Sequence, residues 1–347
     1  MTRNAVAIVS SVFFVLLALL LVVIPVPFVT WRPGQTLDVL GGSDQGPVIS
    51  VSGLPTFETP GQLRLTTVST SKSDVKVSLP EAVFAYLAGA SDAMPREVIY
   101  PQGQSSDEVR QQSVQQMQAS RDDATVAALR AAGVAVTEMP MVAGVVSSGP
   151  AADVLQPGDL ISSVNGQSVA TVAEVTQLIG ELEVGQPAVF EVIRGEETSS
   201  VAITTAASTQ GEPRPVVGIT VATGYRFQPR VEYHLDAEIV GPSAGLVFAL
   251  GIYDLITEGS LTGGANVAGT GTIDPTGKVG AIGGVQQKIA AADRAGVDTF
   301  LVPADNCRDV VGAQSQARLV KVATLKDAIA ALQLINEGNV SEVPVCG

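Results

Sequence analysis

The strongest pattern in the chain is an unbroken apolar run near its start. "AVAIVSSVFFVLLALLLVVI", from Ala5 to Ile24, contains no charged residue. A helix of about twenty residues spans the roughly 30 Å hydrocarbon core of a bilayer. Pro25 and Pro27 stop such a helix, and Trp31 stands where an interfacial aromatic is expected. The run predicts a transmembrane anchor over 5–27. The competing reading is a cleaved signal peptide, whose apolar core is about 7–15 residues long and ends at a small-residue site. This run is longer, and "VIPVPFVTW" offers no such site.

Beyond it the pattern changes repeatedly. "RPGQTLDVLGGSDQGP" is rich in Gly and Pro and reads as a linker. "GPVISVSG" and "GQLRLTTVS" alternate like strands, with Leu63 and Leu65 facing away from Arg64 and Thr66. "SLPEAVFAYLAG" predicts a short helix closed by Gly89. Ser105 and Glu108 form a capping box that opens a polar, solvent-facing helix, "SSDEVRQQSVQQMQAS". A second helix, "DDATVAALRAAG", ends at Gly133. From 134 the grain is that of short strands. Asn165-Gly166 marks a tight turn, and Val175, Leu178, Ile179 and Leu182 follow helical spacing. From 213 onward strand and helix patterns alternate, which predicts an α/β body. In its last helix Leu325, Ile329 and Leu332 form a core stripe.

Composition narrows the function. The 347 residues allow two domains beside the apolar run, and 46% hydrophobic content supplies their cores. A net charge of −14 with only 20 Lys and Arg excludes nucleic acid as a partner, and also electrostatic docking on an anionic membrane. One histidine and two distant cysteines make no metal site, and no cofactor is expected. Cys307 and Cys346, if bridged, close a loop worth roughly 4 kcal/mol in an oxidising compartment; two free thiols are the alternative. Arg3 and Arg32 flank the apolar run and barely decide its orientation. The favoured reading is a single-pass cell-membrane protein with its body outside the cytoplasm. "GTIDPTGKV" is one residue too long for a phosphate loop and has Val279 where Ser or Thr is required.

The candidate chemistry lies in "EIVGPSAGLVFAL". Gly241-Pro242-Ser243-Ala244-Gly245 fits G-x-S-x-G, a turn that presents a nucleophilic serine. Ser243 needs a base. His234 precedes it, so the Ser–acid–His order of an α/β-hydrolase fails. Asp236, two residues from His234, does not build a triad with that histidine in the middle. A lysine is the other established activator, and it must be neutral, hence buried. The candidates are Lys72, Lys76, Lys278, Lys288, Lys321 and Lys326. In "GGVQQKIAAADRAG", Val285, Lys288, Ile289 and Ala292 share one helix face, which turns Lys288 inward; Gln286, Gln287, Asp293 and Arg294 fill the wetter positions. Lys278, in "DPTGK", reads as a solvated turn.

These segments also carry two resemblances. Gly149-Pro150-Ala151, "LQPGDLI", "VNG" and the helix after them resemble a bacterial PDZ domain, although "VTEMPMVAG" is a poor match to its carboxylate-binding glycine loop. "GPSAG", "AGTGTI", "GKVGAIGGVQQK" and "AGVDTFLVPADN" resemble the proteolytic domain of Lon-type serine peptidases. "GQLRLTTVSTSKSDVKVSLPEAVFAYL" resembles the start of that same domain, which makes the PDZ-like block an insertion. The fold class implied is an α/β (α+β) Lon-type proteolytic domain with an inserted PDZ-like domain and one N-terminal transmembrane helix. Its divisions are 5–27, 48–133, 134–208 and 213–337. The resemblance implies a Ser243–Lys288 dyad supported by Thr270, Gly241 and Ala244, acting on protein or peptide substrates. It also implies a homo-oligomer, by family habit a hexameric ring. Val240 stands where Lon enzymes often carry an acidic residue. The expected function is an ATP-independent serine endopeptidase whose PDZ-like domain binds or gates substrate. The alternative is a catalytically silent, membrane-anchored scaffold.

Overall fold

The computed structural model describes residues 3–43, 46–71, 75, 77–87, 91–101, 103–209 and 212–346. Gly89, Lys72 and Lys76 lie outside the described residues. The chain divides into two units: Met1–Gly133 with Pro229–Gly347, and Val134–Gln228 between those segments.

The first unit opens with α1, Arg3–Val23, which is apolar all round and ends ahead of Pro25. Its stretch Asn4–Val22 is long and apolar enough to cross a membrane. β1, Phe28–Asp38, follows. The linker expected from Arg32 onward is therefore a strand as far as Asp38. Pro33 and Gly34 are absorbed by a register shift between Pro33 and Thr36, where strand Pro and Gly are tolerated. Gly34 is needed there, because a Cβ would lie 2.3 Å from the Thr67 hydroxyl. β2 is Ile49–Ser52, β3 is Gln62–Thr70, α2 is Leu79–Leu87 and β4 is Asp92–Pro95. α3, Ser106–Ala131, begins with the Ser105–Glu108 capping box. It is one helix where two were expected. No breaker interrupts it; its outer half faces water, whereas Ala124, Ala127 and Ala128 are buried, and that change of face mimicked a boundary.

The second unit contains β5 (Thr137–Val145), β6 (Leu160–Val164), α4 (Val172–Gly180), β7 (Pro187–Arg194), β8 (Glu197–Thr204) and β9 (Ile219–Arg226). Its sheet runs β8-β7-β6-β5-β9, with Gln167–Ser168 folded back on β6. Asn165 (φ 52°) and Gly166 (φ 78°) make the expected tight turn. Val175 and Ile179 of α4 pack with Ile161, Phe190 and Ile203. The pattern had assigned residues from 213 to the C-terminal body. Instead β9 pairs with β5 from Ile219↔Val145 to Arg226↔Thr137, and this extends the unit to Gln228.

The first unit resumes with β10 (Arg230–Tyr233), α5 (Gly245–Ile256), β11 (Asn266–Gly269), α6 (Val285–Arg294), β12 (Thr299–Pro303), β13 (Arg318–Val322) and α7 (Leu325–Asn336). Its main sheet, β13-β12-β11-β3-β1-β4, joins strands from both segments. β3, β11, β12 and β13 are parallel; β1 runs antiparallel to both its neighbours, β3 and β4. Buried parallel strands feed two cores. Phe300 and Val302 pack with Val285, Ile289 and Ala292 of α6, while Leu301 packs with Leu246, Val247 and Leu325 on the other face. α5 is almost wholly buried and carries the turn that holds Ser243.

Candidate active site

Ser243 lies in a single 3-10 turn, Pro242–Ala244, that leads into α5. Gly241 opens this turn at φ 95°, a conformation that favours glycine. Gly245 permits a close approach: a Cβ there would lie 2.8 Å from Ser120 Oγ and 2.9 Å from the Ile273 side chain. α3 clamps the turn from outside. The Gly241 N–H donates to Ser113 O (3.1 Å), and the Ser120 hydroxyl donates to Pro242 O (3.0 Å). From inside, Gly271 N–H donates to Ser243 O (2.9 Å).

Lys288 reaches Ser243 from α6. Its Nζ is 2.6 Å from Ser243 Oγ and 2.9 Å from Thr270 Oγ1. Lys288 is 3% exposed and Thr270 is fully buried. The Thr270 hydroxyl donates to Ser243 O at 3.0 Å. Its proton is thus engaged, and its lone pairs face the lysine nitrogen. Burial alone pushes the Lys288 amine down to about 7. Half of such a group is neutral near pH 7, so it has a lone pair to offer Ser243.

The other lysines are placed differently. Lys278, Lys321 and Lys326 are exposed. Lys278 sits on a hairpin in which Thr272–Ile273 pairs with Val279–Gly280, and the Asp274 carboxylate accepts from the Thr276 and Lys278 N–H groups. His234 directs Nδ1 to Pro47 O (3.0 Å). Gln287, read as a wetter position, is buried. The expected face of α6 is therefore wider than an apolar count suggested.

A cleft of about 860 Å³ opens over the pair, lined by Trp31, Thr66, Met117, Glu238, Val240 and Ile282 among others. Trp31 stands in β1. Its ring lies against the backbone of Gly283 and Gly284, where a Cβ on either glycine would come within 3.2 Å of it. Sequence reasoning missed Met117, Ser113 and Ser120. A polar-looking helix gave no sign that two of its turns frame Ser243.

In the second unit, β9 closes one end of the sheet and packs beside α4. Gly218, at φ 79°, precedes it. The glycine turn sought ahead of β5 thus has a counterpart ahead of β9. Its signal was "PVVGITV", a glycine before an alternating run.

Residues 236–331 match the Lon protease (S16) C-terminal proteolytic domain, and residues 113–205 match the PDZ domain. Lon protease of Clostridium acetobutylicum is 43% identical over 70 residues, covering 20% of this chain and 9% of that protein. Lon protease of Aster yellows witches'-broom phytoplasma is 33% identical over 91 residues, covering 25% and 11%. The PDZ domain of the SdrC-like protein from Listeria monocytogenes is 29% identical, covering 24% of this chain and 86% of that one, at a TM-score of 0.23. The chain spans about a tenth of the length of the curated relatives it matches. It carries a Lon-type serine-peptidase domain. It also carries a PDZ domain.

Proposed function

We propose that the protein is a serine endopeptidase in which Ser243 is the nucleophile and Lys288 the general base. The observation that carries this reading is a buried lysine, lowered to about 7, at 2.6 Å from a serine on a G-x-S-x-G turn. Neutral Lys288 takes the Ser243 proton as Oγ attacks a peptide carbonyl carbon. The N–H groups of Ser243 and Ala244, in the turn just ahead of α5 and helped by its dipole, stabilise the oxyanion, because those of Gly245 and Leu246 are taken by Pro242 O and Gly271 O. The Lys288 ammonium then gives its proton to the leaving amine. Water, deprotonated by Lys288, hydrolyses the acyl-enzyme, and Ser243 regains its proton. Thr270 holds Nζ in line, while Gly241 and Ala244 shape the turn.

The proposal extends to setting. α1 is read as a retained span and the Cys307–Cys346 disulfide as the mark of an oxidising compartment, so the body lies outside the cytoplasm. The phosphate-loop lookalike is a hairpin turn, so unfolding power is not assigned to this chain, and its substrates are unfolded or extruded polypeptides. The PDZ unit takes extended peptide along the β9 edge, beside α4, and delivers or gates it. Assembly as a ring belongs to the same proposal.

The test is cleavage of an unfolded protein by the full chain in lipid nanodiscs. Ser243→Ala is expected to lose at least about 1000-fold in rate while circular dichroism stays unchanged. Equal cleavage by Ser243→Ala overturns the nucleophile. Binding without cleavage by the wild type favours the scaffold reading.

A further inference from the structure

α2 is built the wrong way round for a helix on a water-facing surface. Its buried positions are small: Ala82 is 6% exposed and Ala85 3%. Its exposed positions are large and apolar: Phe84 and Leu87 are each 73% exposed, and Leu79, Val83 and Tyr86 are exposed with them. At 100° per residue these five cover one continuous face, opposite the alanines. Val75 and Val98 are exposed as well. The one charged residue of α2, Glu81, is paired with Arg32 at 2.8 Å. A contiguous exposed apolar patch of this kind marks a binding surface rather than ordinary solvent exposure.

Its position says what covers it. α1 ends at Val23, and Pro25 pairs with Ser78, the residue just before α2. Paired strands lie about 4.8 Å apart. α2 therefore starts beside the chain two residues beyond α1, and it also contacts α1 directly. A helix so joined to the exit of a span has the bilayer surface as its nearest apolar phase.

We propose that α2 is an interfacial helix: Leu79, Val83, Phe84, Tyr86 and Leu87 insert into the headgroup–acyl boundary and seat the peptidase unit on the membrane. Short helices with an apolar face and interfacial aromatics bind lipid in this manner. The attraction is apolar. The chain has a net charge of −14, and α2 carries no basic residue, so anionic lipid is not required. The proposal rests on α1 being a retained span.

The experiment places p-benzoylphenylalanine at position 84 of the full chain in lipid nanodiscs and identifies photo-adducts by mass. Position 14 in α1 reports on the span, and exposed Val189 of the second unit serves as the background. Position 84 is expected to give lipid adduct at least about tenfold above position 189, as immersion of the helix face requires. The yield should be equal in phosphatidylcholine alone and with added phosphatidylglycerol, and Leu87→Lys should abolish it. Lipid adduct at 14 with none at 84 overturns the interfacial helix. Adduct at 84 only to a second copy of the chain also overturns it, and makes the face a contact between protomers. No lipid adduct at 14 removes the span itself, and the proposal with it.

Discussion

Lys278 and Lys288 stand ten residues apart, each close behind a glycine, yet they are chemically opposite. Lys278 caps a hairpin in water, beside the Asp274 turn. Lys288 sits on the inward face of α6 between two cores, with Ser243 and Thr270 as its hydrogen-bond partners. Two things differ: Lys278 is in water with the Asp274 carboxylate near it, whereas Lys288 is buried with no carboxylate at hand. Removing water from an ammonium without supplying a carboxylate makes the neutral amine competitive at neutral pH. The contact between Ser243 and Lys288 is thus made by packing, and burial itself lowers the amine.

The contrast can be broken most severely at Lys288. Lys288→Met is expected to cut activity by at least about 1000-fold while the fold becomes more stable. The sign follows from linkage. The amine falls from 10.5 in the unfolded chain to about 7 in the folded one. Between these values the unfolded state binds more protons, so wild-type stability rises with pH through that window. The Met variant lacks this slope. Its advantage in Tm is largest at pH 7 and below and shrinks toward pH 10.5. A pH-independent difference between the two proteins would mean that Lys288 does not titrate there.

Thr270→Val keeps the shape and removes the hydroxyl that holds Nζ. A loss of about 10- to 100-fold in kcat with little change in KM is expected, and Thr270→Ser should restore most of it. The pH–rate profile sharpens the same point. Below about 7 the rate should rise about tenfold per pH unit and then level off, as for one base that must lose its proton. An unchanged rate from pH 5 to 9 would count against Lys288 as base. Lys278→Ala, at the other end of the comparison, should alter the rate by no more than about twofold, because an exposed turn lysine touches nothing in the cleft.

Lys288 was legible because helical spacing alone placed it among Val285, Ile289 and Ala292. Ser243 was legible because a glycine turn before an apolar helix is a dense signal. Thr270 was reached only through resemblance, since a single threonine after a buried strand has no period to betray it. β1 was hidden by Pro33 and Gly34, which usually end strands but here occupy a register shift against β3. α3 was split in reading because its burial changes halfway along, and its serine contacts to the Ser243 turn depend on tertiary placement. β9 was misassigned for a related reason: its partner β5 lies far back in the chain, and local pattern cannot express a pairing across so long a separation.

The short passage from α1 into β1 sets a reach. Eight Cα-to-Cα steps lead from Val23 to Trp31 at the cleft wall. Fully extended, they cover at most about 28 Å. If α1 is a retained span, as proposed, that wall of the cleft stands no farther than about this distance from the membrane end of α1. A polypeptide is then selected by its height as much as by its sequence. Under the proposed function, a loop leaving a neighbouring span, or a tail still being extruded, comes within reach of the cleft. A folded domain carried farther out on a stalk does not.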